Sequence, residues 1–240
     1  MQQKLVFDLI RPFPYPVLPP VPSRKLIPTW FKKMNTLTSG NEKDERGERM
    51  RTVKKCVPFI DAMSVGYTLL THIDMLLTIQ NGEVRNIFLD EEHKKHLLDH
   101  NPIENHPGPQ VEGSPFENYK ILKYLSPWRI KAPEGYSLLF VPPMNQFELS
   151  YIPLCGLVDS DVYDGVVNFP FIVPALDEGT KVMIPAGSPF IQIIPIKRDE
   201  WKEEISSTTG NKSIIQHYDQ LDADRYDFYR KNSWKKKRYK

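Results

Sequence analysis

Residues 156–165, GLVDSDVYDG, set two carboxylates, Asp159 and Asp161, one residue apart, with Tyr163 close behind and a glycine closing the stretch. A carboxylate held by a rigid turn can orient water toward a phosphorus whose charge a metal neutralises. The stretch is therefore a candidate nucleotide-hydrolysing site, with Mg2+ as its cofactor. The same residues equally suit an acidic turn between two strands, in which Asp159 or Asp161 caps backbone amides and Gly165 takes a left-handed angle. In the second case no cofactor is expected.

Two other clusters could carry chemistry. His93, His96 and His100 in EEHKKHLLDH fall at i, i+3 and i+7, near one helical face with Glu92 close by. Three imidazoles at that spacing could converge on zinc, but the intervening lysines favour a solvated helix face, and no metal is assigned. The C-terminal YRKNSWKKKRYK holds seven basic residues within 230–240 and no acid. Lys235, Lys236, Lys237 and Arg238 could neutralise phosphates, and Trp234 could stack on bases, so nucleic acid or an acidic protein surface is a candidate partner. Cysteine pairs, a phosphate-binding P-loop, a Gly-x-Ser-x-Gly elbow and a dinucleotide fingerprint are absent from the sequence.

The elements that must position these groups can be read from punctuation. Seven prolines fall in the first thirty residues, so missing donors prevent a helix or central strand there. Interleaved Phe13, Tyr15 and Leu18 are too apolar for a solvated linker and predict an extended arm lying on a surface. PTWFKKM predicts a short helix. Half of residues 36–55 are charged, with both signs mixed, which predicts an exposed, mobile loop. Asn81-Gly82 between two apolar runs predicts a tight hairpin. Residues 90–100 predict a helix, and the proline-punctuated 101–116 a loop. From Ile121 short strands alternate with Pro, Gly and Asp, the pattern of a barrel or sandwich rather than of βαβ units. Near the C-terminus Ile214, Tyr218, Leu221 and Phe228 fall near one helical face, with Thr209 or Asn211 as caps. The organisation expected is an arm with a short helix (1–35), a charged loop (36–55), a β-rich core (56–202), and a helix with a basic tail (203–240).

Composition sets wide bounds. With 32 basic and 30 acidic residues the net charge is +2, too small for a global field that demands a polyanion. No apolar run reaches the length of a membrane span, so no membrane partner is expected. Cys56 and Cys155, a hundred residues apart in apolar sequence, predict buried thiols in a reducing compartment.

GYSLLFVPP, GLVDSDVYDGVVNFPF and IPAGSPFIQIIP resemble the strand series of the dUTPase and dCTP deaminase superfamily, a β-clip fold. Gly156, Leu157, Val158, Asp159, Ser160 and Asp161 match in order its motif G-hydrophobic-hydrophobic-D-x-D-Y-x-G, with Val162 intruding before Tyr163. The resemblance implies that Asp159 polarises the attacking water and that Tyr163 packs on the deoxyribose. A second motif is echoed by Gly187, Phe190, Ile191, Gln192 and Ile193, which would put Gln192 near the phosphates. The sequence departs from the pattern where phosphates are gripped. The PRSG-like step is missing, with VPPMNQFELSYIPLCG in its region, Pro189 stands where a basic residue is usual, and the closing glycine-rich arm is absent. Each preorganised donor of that kind supplies roughly 3 kcal/mol of transition-state stabilisation.

IPTWFKKM, TVKKCVPFIDAMSVGY, WRIKAPEGYSLLFVPP and IPAGSPFIQIIPIKRDEW are together similar to a family of uncharacterised tailed-phage and bacterial proteins across most of residues 26–202. That likeness implies a phage-type protein in the host cytoplasm, or carried in the virion. The expected fold is mainly β, a dUTPase-like β-clip barrel with an extended proline-rich arm and a C-terminal amphipathic helix. The expected function is non-catalytic. The chain would form a homo-oligomer, a trimer by the habit of β-clip relatives, through its core and its arm residues Phe13, Tyr15 and Leu18, and would meet other assembly proteins. The rival expectations are a dUTPase-like nucleotide hydrolase or sensor, and a nucleic-acid accessory protein acting through the basic tail.

Overall fold

The computed structural model describes residues 3–45, 47–205, 218, 220 and 227–239. They divide into two compact units, one of residues 1–34 and 62–198, the other of residues 35–61 and 199–240.

The first unit is built of antiparallel sheets. In chain order its strands are β1 (Val6–Leu9), β2 (Val21–Pro22), β3 (Tyr67–Leu70), β4 (Met75–Gln80), β5 (Glu83–Ile87), β6 (Ile103–Asn105), β7 (Ile121–Tyr124), β8 (Trp128–Lys131), β9 (Tyr136–Val141), β10 (Ile152–Pro153), β11 (Gly156–Val158), β12 (Phe169–Ile172), β13 (Lys181–Ile184) and β14 (Pro189–Lys197). A five-stranded sheet runs β11-β9-β14-β3-β2, a four-stranded one β10-β12-β7-β6, a three-stranded one β13-β4-β5, and β1 pairs with β8. This mainly β, antiparallel architecture is the class expected and is consistent with a β-clip fold.

The strand patterns explain the layering. β8 alternates buried Trp128 and Ile130 with half-buried Arg129 and Lys131, as a one-sided strand must. β14 instead buries Phe190, Ile191, Gln192 and Ile193 in succession, because β9 and β3 flank it and side chains on both of its faces are covered. Phe190 lies at the centre of an aromatic cluster, with ring centroids 4.3 Å from Tyr124, 5.3 Å from Tyr151 and 5.2 Å from Phe171. Around it pack Leu69, Leu122, Leu138 and Phe140, all essentially without solvent contact.

The β4–β5 turn follows its sequence signal: Asn81 and Gly82 have φ of 54° and 76°, the two positive angles of a tight hairpin. Helix α1 (Thr29–Lys33) follows Pro28 as expected, and helix α2 (Val57–Ser64) ends just before β3. Helix α3 (Glu91–Asp99) starts on Asp90, whose carboxylate accepts a hydrogen bond from His93 N at 2.7 Å.

Several expectations need correction. The segment 101–116 was expected to be loop throughout, yet Ile103–Asn105 is a strand; it is three residues long at a sheet edge, where flanking Pro102 and Pro107 remove no ladder bond. The arm is extended through its prolines, but Val6–Leu9, ahead of the first of them, forms a strand with β8. Cys56 and Cys155 are both exposed rather than buried. Cys155 lies in the short crossing from β10 to β11, both outer strands of their sheets, so apolar sequence neighbours did not translate into burial.

The second unit includes the charged segment 36–55. It is exposed as expected, but its backbone is not free: Thr38 N donates to Met50 O, Thr52 N to Thr36 O and Asp44 N to Glu48 O. Arg51 meets Asp227 at 3.1 Å. Most of the expected C-terminal helix, including Thr209, Asn211, Ile214 and Leu221, lies outside the described residues. Of its apolar positions Tyr218 is exposed and Phe228 buried. A short helical turn spans Tyr229–Ser233.

Candidate functional site

The acidic turn leaves β11 at the rim of the five-stranded sheet. Its backbone closes on itself, Asp159 O accepting from Val162 N at 3.1 Å and from Tyr163 N at 2.9 Å. Asp161 points inward and is fully used: its carboxylate accepts from Gly135 N at 2.9 Å and from both terminal nitrogens of Arg198, one at 2.9 Å and the other closer. Arg198 in turn donates its backbone N–H to Gly135 O at 2.8 Å, so strand end, turn and ion pair are fastened together. The Arg198 hydrogen bond, helped by Gly135 N, holds the Asp161 carboxyl well below the usual carboxylate range.

Asp159 accepts from the Ser137 hydroxyl at 2.5 Å and lies 3.4 Å from Arg198, with its side chain 60% exposed. Asp164 meets Lys131 at 3.0 Å and Arg129 at 3.1 Å, Lys131 first holding its carboxyl low. All three aspartates of the turn therefore have cationic neighbours.

Apolar side chains of the stretch are exposed as well. Leu157, Val162 and Tyr163 are 62%, 76% and 47% exposed. Tyr163 folds back so that its hydroxyl donates to Val166 O at 3.4 Å. Gly165 was expected to take a left-handed angle and does not. Its reason is space, because a Cβ there would lie 2.3 Å from the Tyr163 hydroxyl.

Gln192 is placed far from the expected role beside phosphates. It is 1% exposed, its amide donating to Ala62 O at 3.0 Å and Val65 O at 2.7 Å while its carbonyl accepts from Met144 N at 2.9 Å. Sequence gives no hint of this, since a polar residue inside an apolar strand reads as readily as a ligand contact as it does as an internal brace.

A magnesium ion does not fit this carboxylate pair. Asp161 is saturated by a guanidinium that would also stand beside the metal, leaving Asp159 as the one accessible carboxylate of the two. Among the described residues no group of three or more His, Cys, Asp or Glu side chains is arranged to hold a metal.

The histidine helix was expected to be solvated, and it is covered. His93 is buried; its Nδ1 accepts from Leu89 N at 3.1 Å, which puts the ring proton on Nε2, 2.9 Å from Asp74 O. His96 and His100 lie beneath the arm, with the Tyr15 ring 4.8 Å from His96 and the Phe13 ring 4.9 Å from His100. Phe13 and Tyr15 are thus engaged within their own chain. Leu18 stays 47% exposed, with its Cδ1 over Gly187.

In the second unit the tail is tied to Asp61, which accepts from Trp234 Nε1 at 2.8 Å and from Lys237 Nζ at 2.6 Å. Lys235, Lys236 and Arg238 are exposed.

Solved structures that this chain resembles include several dUTPases. That of Staphylococcus bacteriophage 80alpha is 11% identical, with a TM-score of 0.36 over 85% of this chain and 87% of the other. The dUTPase of S. aureus phage phi11 is 11% identical, at 0.33 over 60% and 82%, and that of EIAV is 11% identical, at 0.31 over 60% and 88%. In its solved mutant form the phi11 dUTPase coordinates a structural Mg(II) ion. The likeness is one of fold, and it brings no residue role with it. No family model matches the chain, and no curated protein matches it. Among the described residues no helix is long and apolar enough to cross a membrane.

The Arg198 latch has a pH signature. Asp161 has a lowered folded-state pKa, so its contribution is complete above its unfolded value of about 3.9 and is lost as pH falls through the folded value. Arg198→Met should therefore melt well below the parent at pH 7, and the difference should shrink steadily below about pH 4. Melting followed by circular dichroism at pH 7 and at about pH 2 checks this; a gap unchanged between them would refute the latch.

Proposed function

We propose that this protein is a self-associating, non-hydrolytic β-clip protein of phage type, a component of an assembly rather than an enzyme. The observation that carries the reading is the polarity of the 156–165 turn. All three of its carboxylates are ion-paired, Asp161 buried against Arg198 and the exposed Asp159 and Asp164 against Arg198 and against Arg129 and Lys131, while Leu157, Val162 and Tyr163 are exposed beside the open edge of β11. A hydrolytic turn needs an unpaired carboxylate toward the substrate and donors for its phosphates. An outward apolar cluster beside an unpaired strand edge is what a second copy of the chain can cover. A closed homo-oligomer, with three copies as the favoured number, and a place in the host cytoplasm or virion belong to this proposal.

With Phe13 and Tyr15 engaged at home, the contact moves from the arm to the β11 edge. Light scattering should give the parent a multiple of 28.0 kDa, and Leu157→Asp combined with Val162→Asp should reduce it to the monomer mass. A monomeric parent, or an unchanged mass in the double variant, would count against the proposal.

A second reading, a dUTPase-like hydrolase or nucleotide sensor, is favoured by the exposure of Asp159 next to Tyr163. It requires magnesium-dependent pyrophosphate release from a deoxynucleoside triphosphate, or saturable nucleotide binding, lost in Asp159→Asn. A third reading, nucleic-acid attachment through exposed Lys235, Lys236 and Arg238, requires binding that weakens steeply with salt; a flat salt response removes it.

A further inference from the structure

A cavity of about 250 Å³ lies between the arm, the β3–β4 connection and the C-terminal end of α3, and it has a one-sided chemistry. Its polar lining consists of Arg11, His72, His100, Asn101, Asn168 and Ser126, the hydroxyl of Ser126 being taken up by the Trp128 backbone, with Phe13 as its aromatic wall and no Asp or Glu.

Apart from Ser126, each of those groups has donor capacity left over. The Arg11 guanidinium lies 5.3 Å over the Phe13 ring and has no acidic partner among the described residues. His72, 6% exposed, has its Nδ1 2.5 Å from the Tyr124 hydroxyl, which also receives His72 N at 3.2 Å. The same hydroxyl lies 3.5 Å from Leu70 O; its proton serves the much shorter contact to Nδ1, which places the ring proton on Nε2 as a donor. His100 Nδ1 is buried without a hydrogen-bond partner. Asn168 Oδ1 accepts from Ser126 N at 3.2 Å and Asn101 Oδ1 from Ile103 N at 3.3 Å, which leaves both amide NH2 groups unused. The surplus positive potential is felt inside the site: burial first, then His100 and Arg11, push the His72 pKa down to about 4.

Arg11, Asn101 and Asn168 are exposed and can keep water as a partner, whereas His100 Nδ1 is buried without one, at a cost of about 1–3 kcal/mol; a cluster of donors with no carboxylate among them suits an anion. The space would hold about eight waters at liquid density and falls below the usual range for drug-sized ligands. We propose that this cavity binds a small oxyanion, a phosphate group or a carboxylate, gripped by Arg11, His72 Nε2, His100 and the Asn101 and Asn168 amides, with Phe13 closing one side. The site stands apart from the 156–165 turn and does not depend on whether the protein self-associates.

Isothermal titration of the full chain with inorganic phosphate, deoxyuridine monophosphate and acetate tests the site and distinguishes its sources. Saturable binding of phosphate alone assigns a closed anion site, and binding of the monophosphate as well assigns the end of a larger phosphoester. Binding of acetate in preference to both assigns a carboxylate. Arg11→Ala, at an exposed position, should weaken the best of these by about tenfold or more, and His100→Gln should weaken it independently. The proposal is overturned if no probe binds saturably at millimolar concentration, or if both variants bind as the parent does.

Discussion

Gly66→Ala should leave little folded protein. Gly66 sits in the left-handed region with φ of 72°, and a Cβ there would lie 2.0 Å from the carbonyl oxygen of Ile193, a backbone atom of β14 that cannot step aside alone. The angle alone costs about 1–2 kcal/mol for any other residue. Relieving the contact means prising β3 from β14, and because Gly66 O accepts from Ser23 N at 3.1 Å, the disturbance reaches the end of β2 as well. The urea midpoint is expected to fall by more than about 2 kcal/mol in free-energy terms. Gly82→Ala supplies the control: φ is 76° there too, but nothing lies within 4 Å of the added carbon, so only the angular cost applies. Equal losses in the two variants would show that β3 and β14 are not packed so closely.

Gln192→Leu is the second large loss, expected at about 2–4 kcal/mol. The substitution keeps the volume near the original and removes no apolar contact, but it strands three backbone groups, Ala62 O, Val65 O and Met144 N, in a half-buried corner. The brace therefore joins the end of α2 and the approach to β3 to the segment after β9. Gln192→Glu separates geometry from charge: the carboxylate still accepts from Met144 N but offers two carbonyls no donor, and it should be no better tolerated than leucine. Denaturant titration checks both. Were Gln192 a ligand contact instead, both variants would denature like the parent and only nucleotide binding would change.

The two residues show how far the sequence could be read. Alternation in WRIK, the long apolar run of PFIQIIPIK and the Asn81-Gly82 step are local signals, and the strands they predict are where they were expected. What escaped is set by partners distant in the chain. Gln192 meets residues about 50 and 130 positions away, and the cation that neutralises Asp161 comes from Arg198, 37 positions on. GLVDSDVYDG could therefore announce a turn with carboxylates but not which way they face. The histidine spacing likewise announced a helical face but not that Phe13 and Tyr15, some eighty residues earlier, would cover it. Ile103–Asn105 escaped for the opposite reason: three residues between prolines carry too little pattern to register as a strand.

The five-stranded sheet has unlike rims. One ends at β2, two residues long, preceded by Pro19 and Pro20 and itself containing Pro22, so it has almost no donors to offer a newcomer. Where β14 runs past the end of β3 its free side is blunted in the same way by Pro195. The rim at β11 carries no proline from Gly156 to Val158. A sheet open to pairing on one flank only can take one partner strand there and cannot be extended into a fibre through its own strands, and the prolines that look like disorder in the sequence are the reason growth would stop.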